Sequence, residues 1–242
     1  MKPIKVRGLV LREYEAGESD KRLVIFCKGQ GRLLVYARGA RKPSSKFMAA
    51  AQLFTYADFV LTQGHGFYAL AQAQVIESFY PLREDYDRLM AAHLVAEVCE
   101  KTLWDNLESD SLLLLALKSL SILAKGKIPP IQVACVFLFR FFDVHGLRPQ
   151  TDVCIICGNT MPLSLGTAKI TICPEGLVCD THKPAIHRRI STDAVFALQH
   201  ILNSELAQAY QFSASEDVLQ ELRNAANFLW KNHFDWELRS DM

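Results

Sequence analysis

The first 80 residues alternate between apolar and polar positions with the two-residue period of β-strands. Five segments rich in Val, Leu, Ile, Phe and Tyr carry this pattern, at 4–13, 21–28, 32–38, 53–62 and 67–78. Glycines at 29, 31, 64 and 66 separate neighbouring segments and supply the backbone freedom that tight hairpins need. Five short strands in this region predict a small closed barrel. The five-stranded OB-fold is the leading candidate, and an SH3-like barrel fits nearly as well.

From residue 81 the apolar residues recur every three to four positions, as on one face of an α-helix. We predict helices over 85–103, 112–124, 131–144, 192–210 and 215–232. The third helix is apolar almost all round, so we expect it at the centre of a core, with Arg140 paired to a carboxylate. The fold class is therefore α+β. The predicted domains are a barrel at 1–80, a helical domain in two parts at 81–150 and 191–242, and a cysteine-rich insertion at 151–190.

The charges are unevenly distributed along the chain. Residues 1–50 hold 12 Lys/Arg and 4 Asp/Glu, a net of +8, whereas the whole chain of 242 residues has a net charge of only +1. Between Lys21 and Lys46 there are eight basic residues and no acidic one. Such a run is unusual for a merely solvated surface and favours a polyanionic partner.

Four of the seven cysteines lie close together in the chain, between residues 154 and 179. Cys154 and Cys157 form a C-x2-C pair, and after 21 intervening residues Cys179 and His182 form a C-x2-H pair. Ligands three apart on a tight turn point at one centre, and two such pairs complete a tetrahedron around Zn²⁺. Three thiolates and an imidazole leave no open position, so we predict a structural zinc site.

Other interpretations of the cysteines are weaker. Cys173 could replace His182 as fourth ligand, but its spacing forms no paired turn. A redox C-x2-C would stand alone at a helix start, and a zinc deaminase needs an H-x-E motif that the chain lacks. An iron–sulfur cluster remains an improbable alternative. Cys27, Cys99 and Cys135 each sit singly in apolar segments and are predicted to be buried thiols.

The basic run supplies the candidate DNA contacts. Flexible cationic loops beside a barrel suit recognition of a phosphate backbone, with an affinity that falls as salt rises. Aromatic side chains on such barrels stack on bases, and Tyr36, Phe47, Tyr56 and Phe26 are available here, although most aromatics in so small a barrel are core. The predicted DNA-binding residues are Lys21, Arg22, Arg32, Arg38, Arg41, Lys42, Lys46 and Tyr36.

These segments together resemble the RecO family of bacterial recombination mediators and DNA repair proteins. The resemblance runs end to end in the same order, through GRLLVYARGARK at 31–42, Leu53-Phe54, FLFRFFDVHGLRPQTDVCIICG at 137–158, PEGLVC at 174–179 and the closing segment 228–242. Many members close the zinc site with a fourth cysteine where this chain has His182.

The resemblance implies an OB-fold, a helical domain and a zinc lobe inserted in the helices. It also implies a non-enzymatic function: binding single- and double-stranded DNA, annealing complementary strands, and helping RecA load on DNA coated by single-strand-binding protein. The implied partners are RecR and the acidic, apolar C-terminal tail of the single-strand-binding protein. The expected tail-binding groove is the apolar third helix, with Phe137, Phe139, Arg140 and Phe141 as the candidate contacts.

Two other functions compete with this one. A zinc-containing RNA-binding or ribosome-associated module would use the same barrel and paired cysteine turns. A metal-dependent hydrolase would need a metal position open to water, which the four-ligand pattern does not leave. The N-terminus lacks a signal-peptide pattern, and the longest apolar stretch, at 112–123, is too short to cross a bilayer. We therefore expect a cytoplasmic, nucleoid-associated protein with no membrane partner.

Overall fold

The computed structural model describes residues 3–64, 66–105, 107, 109–161, 170–182 and 184–238. The chain divides into two compact units, the first ending at Lys125 and the second beginning at Gly126. The first unit contains the barrel, and the second contains the cysteine cluster.

Five strands of the first unit form a closed barrel in the order β1-β2-β3-β5-β4. Their bounds are β1 Ile4–Ala16, β2 Asp20–Cys27, β3 Gly31–Ala37, β4 Tyr56–Gln63 and β5 Tyr68–Glu77. β4 pairs back onto β1 to close the barrel, and β3 and β5 run parallel, whereas the other neighbours are antiparallel. The five-stranded barrel and the α+β fold class are confirmed, and this strand order is that of an OB-fold.

The barrel core follows the alternation of the sequence. In β3, Leu33 and Val35 are buried inside, whereas Leu34 and Tyr36 point outward. The segment between β3 and β4 crosses the barrel as consecutive turns rather than as a helix. It nevertheless adds Phe47 to the barrel core.

Two helices belong to the same unit as the barrel, α1 Tyr86–Thr102 and α2 Asp110–Lys125, after a short 3-10 helix at Tyr80–Glu84. Arg12 of β1 pairs with Glu100 of α1 at 3.0 Å. Gly31 lies so close to the segment that joins the two helices that a Cβ there would be 2.2 Å from the carbonyl oxygen of Leu107. The first compact unit therefore ends after α2 and not at the end of the barrel. The predicted domain boundaries at 80, 150 and 190 stay a prediction.

Three helices form the centre of the second unit: α3 Pro130–Val144, α4 Thr192–Asn203 and α5 Glu216–His233. α3 packs against both α4 and α5, and Phe137 and Phe139 on it are completely buried. The side chains of Ser191 and Ser215 accept hydrogen bonds from backbone N–H groups of the first turns of α4 and α5, as the N-cap pattern predicts. The central position of the third helix is thus confirmed.

The second unit also contains a small antiparallel sheet in the order β7-β6-β8. Its strands are β6 Ile170–Cys173, β7 Gly176–Val178 and β8 Arg188–Ile190. The residues of β6 and β7 are mostly buried, but strands this short depend on further support to form a stable sheet. In sequence, Cys154 and Cys157 precede this sheet, and Cys179 and His182 lie between β7 and β8.

Candidate metal centre and candidate nucleic-acid interface

The four predicted metal ligands lie together. Their ligand atoms, three sulfurs and a ring nitrogen, are all within 4.8 Å of one another in Cys154, Cys157, Cys179 and His182. The Cys154 Sγ to His182 Nδ1 distance is 3.8 Å, and the Cys157 Sγ to Cys179 Sγ distance is 4.0 Å. Zinc–sulfur bonds of about 2.3 Å place tetrahedral ligands about 3.8 Å apart, so the residues fit this ion.

The backbone of the first cysteine pair forms the tight turn that the spacing predicts. Gly158 donates its N–H to the Cys154 carbonyl oxygen at 2.9 Å and has a positive φ of 74°, which favours glycine there. The Cys154 N–H bonds the Asn159 carbonyl oxygen at 2.8 Å, and the Ile155 N–H bonds that of Leu177 at 3.0 Å. These bonds tie the turn to β7.

The local electrostatics favour thiolates at two of the three cysteines. At Cys157 a backbone hydrogen bond with Asn159 lowers the pKa, but burial and the neighbouring thiols outweigh this bond, so that its pKa is raised overall. Burial raises the pKa of Cys154, but backbone N–H groups of Cys157, Cys179 and Ile156 outweigh burial, so that its pKa is lowered overall. The pKa of Cys179 is also lowered, chiefly by a hydrogen bond with the Thr181 hydroxyl. Because a metal binds thiolates rather than thiols, these donors prepare the site for a cation.

Cys173 is not part of this group. It is buried at the end of β6, and burial raises the pKa of its thiol. Cys27, Cys99 and Cys135 are buried free thiols, as predicted, and burial raises the pKa of Cys27 and of Cys135 to about 12. The described donor set is therefore three thiolates and one imidazole, which is closed to water and suits a structural ion.

A groove of about 680 Å³ lies on the outer face of β1, β2 and β3. Tyr14, Arg22 and Tyr36 stand side by side across the three strands because they are paired in register. Leu34 adds an outward apolar side chain that is 50% exposed. We call this the aromatic groove, and its main lining residues are Tyr14, Glu15, Arg22, Leu34, Tyr36 and Phe67.

The third ring of the groove comes from the β4–β5 hairpin. Phe67 is 47% exposed, and its ring centroid lies 6.1 Å from that of Tyr36. The parallel pairing of β3 with β5 brings the two residues together, although they are far apart in sequence. The Tyr36 hydroxyl donates to Asp20 at 2.5 Å, which lowers the pKa of that carboxyl and raises the pKa of Tyr36.

The predicted basic loop is fixed beside this groove. The Gly39 N–H bonds Asp20 at 2.7 Å, and the Arg41 N–H bonds the Ser19 carbonyl oxygen at 2.9 Å. Both contacts join the start of the loop to the β1–β2 turn. On OB-fold barrels the strand 2–3 face and the loops after strands 1 and 4 hold oligonucleotides. The groove lies on that face, whereas the basic loop follows β3 and adjoins the β1–β2 turn.

Seven of the eight predicted DNA-binding residues are basic, and they fall into two groups. Three of the basic side chains are paired: Lys21 with Glu13 at 2.6 Å, Arg32 with Asp105 at 2.7 Å and Arg41 with Glu15 at 3.0 Å. The others are exposed and make no ion pair within the described part of the chain, namely Arg22, Arg38, Lys42 and Lys46. Tyr36 is the remaining member and lies in the groove.

The sequence missed part of the groove. Phe26 and Phe47, considered for stacking, are core residues at 0% and 7% exposure. Tyr14 and Phe67 were not considered, although both are more than 40% exposed. The outward position of Tyr14 follows from strand alternation, whereas nothing in the sequence pairs Phe67 with Tyr36.

Known families match the chain along its length. The model described as Recombination protein O N terminal matches residues 1–79, and Recombination protein O C terminal matches residues 83–242. The chain belongs to the RecO family. The DNA repair protein RecO of Acetivibrio thermocellus is 33% identical over 97% of this chain and 93% of its own length. The corresponding proteins of Alkaliphilus metalliredigens and Desulfitobacterium hafniense are 31% and 29% identical over 91% and 96% of this chain, and 85% and 86% of their own lengths.

Family membership confirms the resemblance and makes this a RecO-family DNA repair protein. None of the described helices is both long and apolar enough to cross a membrane.

The α3 residues that were predicted to bind a partner do not form the expected groove at the surface. Phe137, Phe139 and Phe141 are completely buried, at 0% exposure, and therefore offer no surface to a partner. The helix is apolar all round because it lies at the centre of the core and not because it lines a binding groove. These three phenylalanines are structural residues in this RecO-family chain.

Arg140 has the carboxylate partner that its sequence context predicts. It pairs with Asp143 at 3.2 Å and donates to the Leu202 carbonyl oxygen at 3.3 Å and to that of Ser204. Arg148 donates to the same Leu202 oxygen at 2.9 Å. Two cations at the C-terminus of α4 stabilise its free carbonyl groups, and the helix ends at Asn203 and not at 210 as predicted.

We expect Arg140→Ala to lower the free energy of unfolding by about 1–3 kcal/mol, because it removes the Arg140 donor to the Ser204 carbonyl oxygen and the ion pair with Asp143. Chemical denaturation followed by circular dichroism measures this change. Arg148→Ala, at a side chain that is 40% exposed, is the matched comparison and should cost less. Equal stability of Arg140→Ala and the parent protein would contradict a structural role for Arg140.

Proposed function

We propose that this chain is a recombination mediator that binds single- and double-stranded DNA, anneals complementary strands and helps RecA load on DNA coated by single-strand-binding protein. The aromatic groove with its adjoining cationic loop carries the proposal. Exposed rings take stacked bases of a single strand, and exposed arginines and lysines neutralise its phosphates. Since the sequence contains no base-reading motif, binding is expected to tolerate any base sequence.

The rest of the proposal follows from family membership. We infer RecR and the acidic tail of the single-strand-binding protein as partners, with RecA acting on the product. The site of action is the cytoplasmic nucleoid, where such DNA is found. The metal centre, which we assign to zinc, keeps its lobe rigid and does no catalysis, because its donor set leaves no position for substrate.

Binding of fluorescent single-stranded DNA, measured against salt concentration on protein of known zinc content, tests the proposal. We expect binding that weakens steeply as salt rises, together with faster annealing of complementary strands. Competition with a structured RNA distinguishes the RNA-binding alternative. Absence of DNA binding at low salt, or a preference for the RNA, would contradict the mediator function.

The exposed cations of the loop should set the salt dependence. We expect Arg38→Ala/Lys42→Ala to lower the slope of log affinity against log salt by about one to two units, because two phosphate contacts are lost. Lys125→Ala/Lys127→Ala removes the same charge from exposed positions at the end of α2 and should leave the slope nearly unchanged. An unchanged slope in the loop variant would remove the loop from the DNA interface.

Arg41→Ala should lower the slope of log affinity against log salt by less than Arg38→Ala or Lys42→Ala does. Its guanidinium already pairs with Glu15 at 3.0 Å, so the net charge that it offers to a phosphate is reduced. A titration of the single variant beside Arg38→Ala measures the difference. If Arg41→Ala lowers the slope as much as Arg38→Ala does, the ion pair must open on binding.

A further inference from the structure

A second groove, of about 710 Å³, lies on a different face of the barrel, across β1, β4 and β5. Two rows of paired residues form its floor. Lys5 lies opposite Val60, which lies opposite Gln72, and Arg7 lies opposite Asp58, which lies opposite Gln74. Lys28, just after β2, completes the lining. We call this surface the sheet face.

The sheet face has an excess of positive charge. Arg7 binds both oxygens of Asp58, at 2.7 Å and 3.0 Å, so the carboxylate is already compensated. Lys5 and Lys28 are exposed and make no ion pair among the residues that the structure describes. Lys28 is held at the edge of this face because its backbone N–H bonds the Arg7 carbonyl oxygen at 2.8 Å. Two positive charges are therefore available to an anion.

The chemistry of the sheet face differs from that of the aromatic groove. Its one lining aromatic, Phe59, is 1% exposed and belongs to the core, so no ring is offered to a base. Besides the exposed Arg7–Asp58 pair, its exposed groups are the ammonium ions of Lys5 and Lys28 and the amides of Gln72 and Gln74. Ammonium and amide N–H groups donate to phosphate oxygens and carry no sequence preference. Such a surface suits a nucleic-acid backbone and not unstacked bases.

We propose that the sheet face binds the phosphate backbone of a second DNA strand while the aromatic groove holds the first. The inference rests on the proposed function, because it assumes that the groove binds a strand. One barrel then holds two strands at once, which replaces a bimolecular encounter with a local one at high effective concentration. Annealing gains from this arrangement, since the first strand is bound through its bases and the second keeps its bases free to pair.

A two-step capture experiment on the full chain tests the sheet face. A biotinylated oligo-dT strand on beads is saturated with protein and washed, and a fluorescent oligo-dT strand is then added. Two such strands cannot pair, so retained fluorescence reports a second binding site. In Lys5→Gln/Lys28→Gln we expect protein retention as in the parent and second-strand capture about twentyfold weaker at 0.1 M salt, as for two lost phosphate contacts.

Controls separate the sheet face from charge in general and from the groove. Lys125→Gln/Lys127→Gln makes the same change in net charge and should capture the second strand as the parent does. If Lys5→Gln/Lys28→Gln captures it equally well, or if the parent binds the first strand and captures no second, the sheet face is not a DNA site, while the proposed function stands. If the parent binds no first strand, the proposed function fails and the inference with it.

Discussion

Cys154→Ala should abolish metal binding and unfold the small lobe around β6, β7 and β8. Elemental analysis of the parent should give one zinc per chain, and that of the variant close to none. The β-strands of the lobe are only three or four residues long, so the sheet depends on further support. Structural zinc contributes about 10–16 kcal/mol of apparent binding free energy in zinc-finger peptides, so its loss exceeds what such a lobe gains by packing.

Hydrogen exchange measures the consequence directly. The amides of Cys154, Ile155 and Gly158 are hydrogen-bonded within the lobe, and in the variant we expect them to lose their protection. Helix α3 in the same unit should keep its protection if the lobe unfolds locally. Chelation of the parent protein should reproduce the exchange pattern of the variant without any mutation.

Cys173→Ala is the matched control because it removes a thiol from the same lobe without removing a ligand. We expect this variant to keep one zinc, whereas His182→Ala should bind zinc far more weakly. Loss of zinc from Cys173→Ala, with zinc retained in His182→Ala, would show that the fourth ligand is Cys173 and not His182. Full protection in metal-free Cys154→Ala would show that the lobe does not need the ion.

The spacing of the cysteines predicted the cluster of four candidate metal ligands because these residues lie in two short local motifs. A C-x2-C turn brings two sulfurs together whatever surrounds it, and only the meeting of the two pairs needs tertiary structure. Alternation in the first 80 residues likewise predicted the strands, because a barrel wall has one buried and one exposed face. Both signals are local and strong.

Features set by distant contacts were not predicted. α4 ends at Asn203 because Arg140 and Arg148, more than 50 residues earlier, bind carbonyl oxygens at its end. The burial of Phe137 depends on α4 and α5, which surround α3. An apolar helix looks the same in sequence whether it lines a groove or fills a core, and here it fills a core.

The aromatic groove shows the same limit at the candidate site. The basic run indicated a polyanion partner, but it did not show which cations are already paired with carboxylates. Arg32 and Arg41 belong to the same run as Arg38, and only the fold brings Asp105 and Glu15 to them. The ring of Phe67 reaches Tyr36 through the parallel pairing of β3 and β5, which no local pattern encodes.

Tyr36→Ala/Phe67→Ala should weaken binding of single-stranded DNA by roughly a hundredfold or more. Stacking contributes about 1–3 kcal/mol per base, and the variant removes both rings of the pair. Because no cation is removed, the slope of affinity against salt should stay close to that of the parent. Fluorescence anisotropy with a labelled oligo-dT strand, repeated over a range of salt, measures both quantities.

Two further variants separate stacking from other causes. Tyr36→Phe keeps the ring and loses only the hydrogen bond to Asp20, so we expect it to retain most of the affinity. Tyr80→Ala/Tyr86→Ala removes two rings that are 60% and 74% exposed but lie outside the groove, and it should bind DNA as the parent does. If this control loses as much affinity as Tyr36→Ala/Phe67→Ala, exposed rings anywhere in the unit contribute to DNA binding. If the groove variant binds as the parent does, the strand does not lie across β1, β2 and β3, and the exposed cations of the loop alone account for the affinity.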